Sequence, residues 1–381
     1  MQNNTSEILI IAGEASGDLH GAALIEKLKN SCPDIHISGI GGDKMAVAGM
    51  ELFYHINKLS FLGFAEVIKH IPYIKKVQKN IIGHILQRDI KLVVLIDYPG
   101  FNLSIAKKLK ALNVKVIYYI SPQIWAWGAG RIKKIRKYID KMIVFFPFEN
   151  DLYSQNKVSS ELAGHPLVDR FKDYKFLTKE ELYSKYNLPV GKDILLIMPG
   201  SRLNEISKLL PDVLIAANDI SSKFNLTPVI ACSDNIEESV FSKFSQHGIR
   251  LIKSNTYDLM KHAKIGIIKS GTSTLEAGIL GLPMVIVYRT SLLTYLIGRL
   301  VVKVKNIGLI NIVAGKEIVP ELIQHQVSTK NIFKLAEMLL TNTDKYNNTK
   351  QELNKIEAKL GNAGASARAA SIILKELTLL K

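Results

Sequence analysis

Cysteine is nearly absent from this chain of 381 residues, which holds only Cys32 and Cys232. Two thiols cannot frame a disulfide-stapled fold or complete a zinc site by themselves. Their scarcity fits a reducing compartment. Long apolar runs are missing too. The nearest, residues 292–302, is interrupted by Arg299, and a membrane-spanning helix needs ~18 or more apolar residues. The opening MQNNTSEILIIAGE has no basic stretch followed by a long apolar run, so no signal peptide is expected. Several motifs are also absent: G-x-x-x-x-G-K-[ST], D-x-D and H-E-x-x-H do not occur, and the nine histidines form no ligand spacing. A P-loop nucleotidase and a catalytic metal are therefore not expected. Acidic residues are in deficit. Asp and Glu total 34 against 50 Lys and Arg, a net charge of +16. That excess points to an anionic partner: nucleic acid, an acidic membrane face or a phosphorylated substrate.

What the chain does contain is ordinary globular composition, 47% apolar and 22% charged. Its length suits two domains at roughly 150 residues each. Apolar runs at 8–13, 35–40, 92–97, 114–120 and 142–148 read as buried strands, and helical patterns separate most of them. The pattern pauses around 162–179 and restarts with runs at 194–198, 227–231, 264–268 and 283–287. Strand, helix, strand, repeated twice over, implies two α/β units, each built on a parallel sheet. The last stretch, 329–381, reads as helical, with a small-residue break at Gly361, Ala363, Gly364 and Ala365 that would let the final helix return to the first unit.

In such sheets ligands bind beyond the carboxyl ends of the strands. The first such loop, Gly13-Glu14-Ala15-Ser16-Gly17-Asp18-Leu19-His20, lacks the dinucleotide spacing and puts Glu14 and Asp18 where a pyrophosphate would sit. A nicotinamide cofactor is not expected there, while the polar side chains favour a substrate site. The second, Pro199-Gly200-Ser201-Arg202, offers a permissive glycine, the start of a helix and a guanidinium fork for phosphate. The third, Lys269-Ser270-Gly271-Thr272-Ser273-Thr274-Leu275-Glu276, has the makings of an anion cradle at a helix start. Glu276 would lie about one turn into that helix and could accept from two ribose hydroxyls. Ser273 and Glu276 also fit a capping box, a reading compatible with the first.

Asp97 ends the apolar run at 92–96 and would project from a central strand. Partial burial raises a carboxylate pKa and suits a general base, although capping of the next helix is an equal reading. His20 and His165 are rival bases. Both tryptophans fall in the segment 121–128, where they could stack on a sugar or simply pack. The run that follows has five basic residues in seven, from Arg131 to Lys137, without interleaved aromatics, so nucleic-acid binding is not expected. Residues 61–86 interleave an apolar series that begins Phe61, Leu62, Phe64, Val67, Ile68 and Ile71 with Lys69, Lys75, Lys76 and Lys79. This pattern fits an interfacial helix on a membrane or, equally, a core helix with a basic outer face.

Taken together, AGEASGDLHG (12–21), GIGGDKM (39–45), IDYPGFN (96–102), SPQIWAWG (121–128), GHPLVD (164–169), PGSRLNEI (199–206) and SGTSTLEA (270–277) resemble the lipid-A-disaccharide synthase family. The resemblance spans most of the chain in the expected order. It implies a GT-B fold: two Rossmann-like parallel-sheet halves with the active-site cleft between them. The bounds expected are 1–170 for the acceptor and membrane half, 171–355 for the UDP-sugar half, and 356–381 for a C-terminal helix returning to the first half.

The implied reaction is metal-independent and inverting. Diacylglucosamine passes from UDP-2,3-diacylglucosamine to 2,3-diacylglucosamine 1-phosphate (lipid X), giving a β-1',6-linked disaccharide and UDP. No cofactor is implied. The resemblance places Asp97 at the family's essential aspartate, and Glu14, Ser16 and His20 in the acceptor-side loop of the catalytic set. Arg202, Glu276 and Asn311 match positions of the UDP half, joined by Ser201, Gly271, Thr272, Ser273 and Thr274 of the two loops. Gly100 stands where some members carry a second acid. A peripheral place on the cytoplasmic face of the inner membrane is implied, against an anionic lipid surface, and a homodimer remains a family-level option. Another UDP-sugar enzyme of the same fold, an epimerase or a peptidoglycan glycosyltransferase, is the alternative reading.

Overall fold

The computed structural model describes residues 7–59, 70–126, 128, 130–232, 236–237, 239–242, 249–291, 295 and 304–380. Seven strands, β1 (Glu7–Ala12), β2 (His36–Gly41), β3 (Glu51–His55), β4 (Leu92–Ile96), β5 (Lys115–Tyr119), β6 (Lys141–Val144) and β7 (Ser160–Leu162), form one sheet in the order β3-β2-β1-β4-β5-β6-β7. Every pairing in it is parallel. Six more, β8 (Asp193–Met198), β9 (Leu226–Ala231), β10 (Arg250–Ile252), β11 (Ala263–Lys269), β12 (Met284–Tyr288) and β13 (Glu321–Ile323), form a second parallel sheet in the order β10-β9-β8-β11-β12-β13. The chain divides into one unit of Met1–Lys172 with Leu360–Lys381 and another of Asp173–Lys359.

The strands form where the sequence is apolar on both faces. All five residues of β4 are buried, as are five of six in β1, because helices cover both sides of a parallel sheet. The helix Ala15–Ser31 packs on the C-terminal helix Ala365–Thr378, whose buried Ala365, Ala369 and Ala370 allow close approach. Polar ties fasten this last segment to the first unit. Nε of Arg368 donates to the Ala163 carbonyl at 2.7 Å, and Glu376 meets Lys141 at 2.9 Å and also Lys115.

The run at 142–148 is only partly a strand. β6 stops at Val144, because Pro147 opens the helix Pro147–Gln155 and Glu149 turns back to accept from the amides of Phe145 and Phe146 at 3.2 Å each. Asp18 also differs from its expected place. Its buried carboxylate accepts from the backbone amides of Gly42 (2.7 Å), Met45 (3.0 Å) and Lys44 (3.2 Å), and so fixes the start of the short helix Asp43–Val47. Asp18→Ala strands these donors in the interior and is expected to cost roughly 1–3 kcal/mol of stability. Denaturant melts read this directly, and an unchanged midpoint would show that water replaces the carboxylate.

Of the apolar residues proposed for a membrane face, Phe61, Leu62, Phe64, Val67 and Ile68 lie outside the described residues. Ile71 opens the helix Ile71–Gln87 and is 41% exposed. Further along, Val77, Ile81 and Ile85 belong to the core. That part of the pattern is a core helix whose Lys75, Lys76 and Lys79 face outward. No helix among the described residues is long and apolar enough to cross a membrane.

Candidate active site

In the first sheet the strand order reverses between β1 and β4, which are paired Ala12 to Ile96. Loops leaving neighbouring strands in opposite directions open a crevice at their carboxyl ends, the usual ligand position in such sheets. Gly13 follows β1 and Asp97 follows β4. The two loops touch: a Cβ on Gly13 would lie 2.1 Å from the Tyr98 ring, so only glycine fits.

Asp97 (φ 45°) and Tyr98 (φ 46°) are successive left-handed residues, a costly conformation for side chains other than glycine. The elbow is held from several sides. Tyr118 Oη donates to the Asp97 carbonyl at 2.5 Å and Asn102 Nδ2 does so at 2.7 Å. Tyr98 Oη donates to the Leu59 carbonyl at 2.9 Å. The backbone is thereby fixed through its carbonyl while the Asp97 carboxylate remains half-buried beyond the strand. Burial, followed by the nearby Glu14 carboxylate, raises its pKa to about 6.

Glu14 and Ser16 are exposed at the start of the helix Ala15–Ser31, and His20 lies in its second turn. Burial lowers the His20 pKa to about 4, with the Arg170 guanidinium adding to the effect. The His20 ring meets Phe145 edge-on at 5.6 Å. His165 packs between Phe145 and Phe146, each at 5.1 Å, and burial carries its pKa down to about 3. Both imidazoles are therefore neutral near pH 7. Trp125 donates its indole N–H to Glu149 at 3.1 Å, so this ring is anchored on a buried carboxyl that burial raises to about 7. Trp127 lies outside the described residues.

In the second sheet the order reverses between β8 and β11. A cavity of about 700 Å³ opens there, lined by Gly200, Ser201, Arg202, Ser270, Gly271, Thr272, Ser273 and Glu276. Arg202 caps the helix Leu203–Phe224, and Gly271 caps the helix Thr272–Ile279. Ser273 thus lies inside the first turn, and the capping box drawn from Ser273 and Glu276 is not the cap of this helix. Thr274 is buried and returns its hydroxyl to the Gly271 carbonyl at 2.8 Å, away from the cavity.

Asn311 is a further departure. It is fully buried, and its amide is spent on Val319, Glu321 and the backbone N–H of Ile318 and Val319. It is not among the residues that line the cavity. Sequence reading missed the far wall, formed by Tyr174, Asn255 and Tyr257. Tyr257 Oη donates to Glu276 at 3.3 Å, and fully buried Asp258 accepts from Tyr174 Oη at 2.6 Å. Tyr174 is the second residue of the unit Asp173–Lys359, and nothing local marks it as a cavity residue.

A family model described as lipid-A-disaccharide synthetase matches residues 8–375. The chain belongs to this family. Its relatives include the lipid-A-disaccharide synthases of Myxococcus xanthus (strain DK1622), 37% identical over 98% of each chain, and of Geobacter sulfurreducens (strain ATCC 51573 / DSM 12127 / PCA), 36% identical over 99% of this chain and 98% of the relative.

Among solved structures, the UDP-GlcNAc 2-epimerase from Neisseria meningitidis bound to UDP-GlcNAc is similar with a TM-score of 0.66 at 15% identity, covering 97% of this chain and all of that one. The calicheamicin glycosyltransferase CalG4 is similar with a TM-score of 0.62 at 13% identity, covering 98% of this chain and 99% of that one. At such identities the structural likeness speaks for the fold, two parallel-sheet α/β halves of GT-B type. The activity of the lipid-A-disaccharide synthase family is that of a glycosyltransferase in lipid A biosynthesis.

Proposed function

We propose that the protein transfers diacylglucosamine from UDP-2,3-diacylglucosamine to the 6-hydroxyl of 2,3-diacylglucosamine 1-phosphate. The observation that carries this reading is the pairing of two switch points in one chain. One presents a carboxyl with pKa about 6 on a strained elbow, the other a cavity edged by two helix starts and Arg202. Family membership supports the choice of substrates.

In a single displacement, Asp97 takes the proton of the acceptor 6-hydroxyl as that oxygen bonds to the anomeric carbon. The bond from that carbon to the diphosphate breaks at the same time, and UDP departs with both electrons. Attack opposite the leaving group inverts the centre. A base works best with a pKa near the working pH. Asp97, at about 6, meets that condition better than His20 or His165, at about 4 and 3. Glu14 and Ser16 would hold the acceptor beside it. Charge on the departing diphosphate is met by Arg202 and by the amides and hydroxyls at Ser201 and Gly271–Ser273, while Glu276 accepts from the ribose hydroxyls. Mass spectrometry of products tests the whole reading. Both lipid substrates together should yield the disaccharide 1-phosphate and UDP. An epimerised donor formed without acceptor would overturn it.

We also propose a peripheral place on the cytoplasmic face of the inner membrane. Supporting this are exposed Ile71, the outward Lys75, Lys76 and Lys79, and exposed Lys133, Lys134, Arg136 and Lys137 of the helix Arg131–Tyr138. Binding to anionic vesicles should fall with salt. Each Lys→Glu change among residues 75, 76 and 79 should weaken it by about 1 kcal/mol or more. Ile71→Ser should weaken it as well. Undiminished binding by the folded variants would remove the proposal.

A further inference from the structure

The cavity between β8 and β11 contains an ion pair that the transfer reaction does not use. Lys269, the last residue of β11, places Nζ 2.8 Å from Oε1 of Glu205, in the first turn of the helix Leu203–Phe224. The same oxygen lies 3.7 Å from Nη1 of Arg202. Both partners of the close pair line the cavity, and each is 18% exposed. The surrounding loop is shaped to this carboxylate. Gly200 has φ 117°, and a Cβ there would lie 2.7 Å from the other Glu205 oxygen. One acidic group therefore sits between a cation at the end of β11 and another at the start of the helix Leu203–Phe224, in a cavity that Gly200, Ser201 and Ser270 also line.

An ammonium in so enclosed a place needs an anion beside it. Glu205 supplies one within the protein. A diphosphate would bring more charge and more acceptor oxygens to the same cations. Arg202, Lys253 and Lys269 line the cavity with Glu205 and Glu276, so cations outnumber carboxylates where a diphosphate would bind.

We propose that Lys269 is a diphosphate-binding residue of this cavity and that Glu205 is its internal competitor, a carboxylate that holds Lys269 and Arg202 until phosphate oxygens displace it. This rests on reading the cavity as a nucleoside-diphosphate site. The competition weakens the hold on UDP and eases its release after transfer.

Calorimetry with UDP, UMP and uridine on the full chain separates this role from a purely structural pair. Lys269→Met should weaken UDP about 10–100-fold, the size of a charge-assisted hydrogen bond. UMP should lose less, and uridine should stay within about twofold. Glu205→Gln, nearly the same shape without the charge, should tighten UDP about 3–10-fold and leave uridine unchanged. If the unpaired carboxylate unfolds Lys269→Met, the double variant Lys269→Met with Glu205→Gln removes both charges. It should still bind UDP more weakly than Glu205→Gln alone.

Unchanged UDP affinity in Lys269→Met, or equal losses for UDP and uridine, would make Lys269 merely the counter-ion of Glu205. Weaker UDP binding by folded Glu205→Gln would overturn the competitor role. A wild-type protein that binds none of the three would instead overturn the nucleotide reading of the cavity itself.

Discussion

Asp97→Asn is expected to lower turnover by about 10²–10⁴-fold, the loss typical of a missing general base, while making the folded protein more stable at neutral pH. The two effects share one cause. Burial and Glu14 raise the Asp97 pKa to about 6 from an ordinary 3.8. The folded state therefore holds this proton more tightly than the unfolded chain does. Stability is lost as pH rises from about 4 to about 6, and it stays lost above that range. A shift of about two units corresponds to at most about 3 kcal/mol, and asparagine escapes the penalty. Asparagine, like aspartate, is accepted in the left-handed backbone at this position, so the exchange adds no strain there at any pH. Thermal melts at pH 4 and pH 7 check this: the advantage of the variant should be larger at pH 7. In the wild type, activity should climb with pH around 6, and the variant should lack this limb. UDP affinity should be nearly unchanged. Near-normal turnover would reduce Asp97 to a helix-starting residue. A lowered melting temperature with lost UDP binding would show general disruption.

Glu276→Ala should weaken UDP binding by roughly 1–3 kcal/mol, about 5- to 150-fold, because a carboxylate paired with hydroxyls forms charge-assisted hydrogen bonds. The helix start does not depend on this side chain, since Gly271 is the cap. A stability effect should therefore be small, apart from the lost contact with Tyr257. Arg202→Lys tests the other end of the nucleotide. Arg202 is 74% exposed, so the exchange should leave the fold alone while removing the fork that grips two phosphate oxygens at once. Calorimetry reads both variants. Full UDP affinity in folded Glu276→Ala would mean that the ribose lies elsewhere.

Much of this was legible in the chain itself. β1, β4 and β8 are central strands buried on both faces, so they appear as apolar runs that need no partner to be recognised, and β11 shows the same in its buried stretch from Ile265 to Ile268. The loops following them carry glycine, hydroxyl and charged residues where a sheet strand would not, which marked Gly13, Asp97, Arg202 and Gly271 in advance. The edge strands β3, β7, β10 and β13 escaped notice. They have three to five residues with mixed exposure, and their pairing rests on a neighbour rather than on their own apolarity.

Tertiary structure alone decided which loops became neighbours. Strand order brings Gly13 against Tyr98, and it brings Lys269 to Glu205 across 64 positions of sequence. It also decided which polar residues serve the fold. Asp18, Thr274 and Asn311 look in sequence like their functional neighbours, yet each satisfies buried backbone groups close around it. Local pattern records how apolar a segment is and where a helix can begin. Whether a carboxylate or an amide faces ligand or backbone depends on which donors the fold buries beside it, because a buried donor must find an acceptor and takes the nearest one.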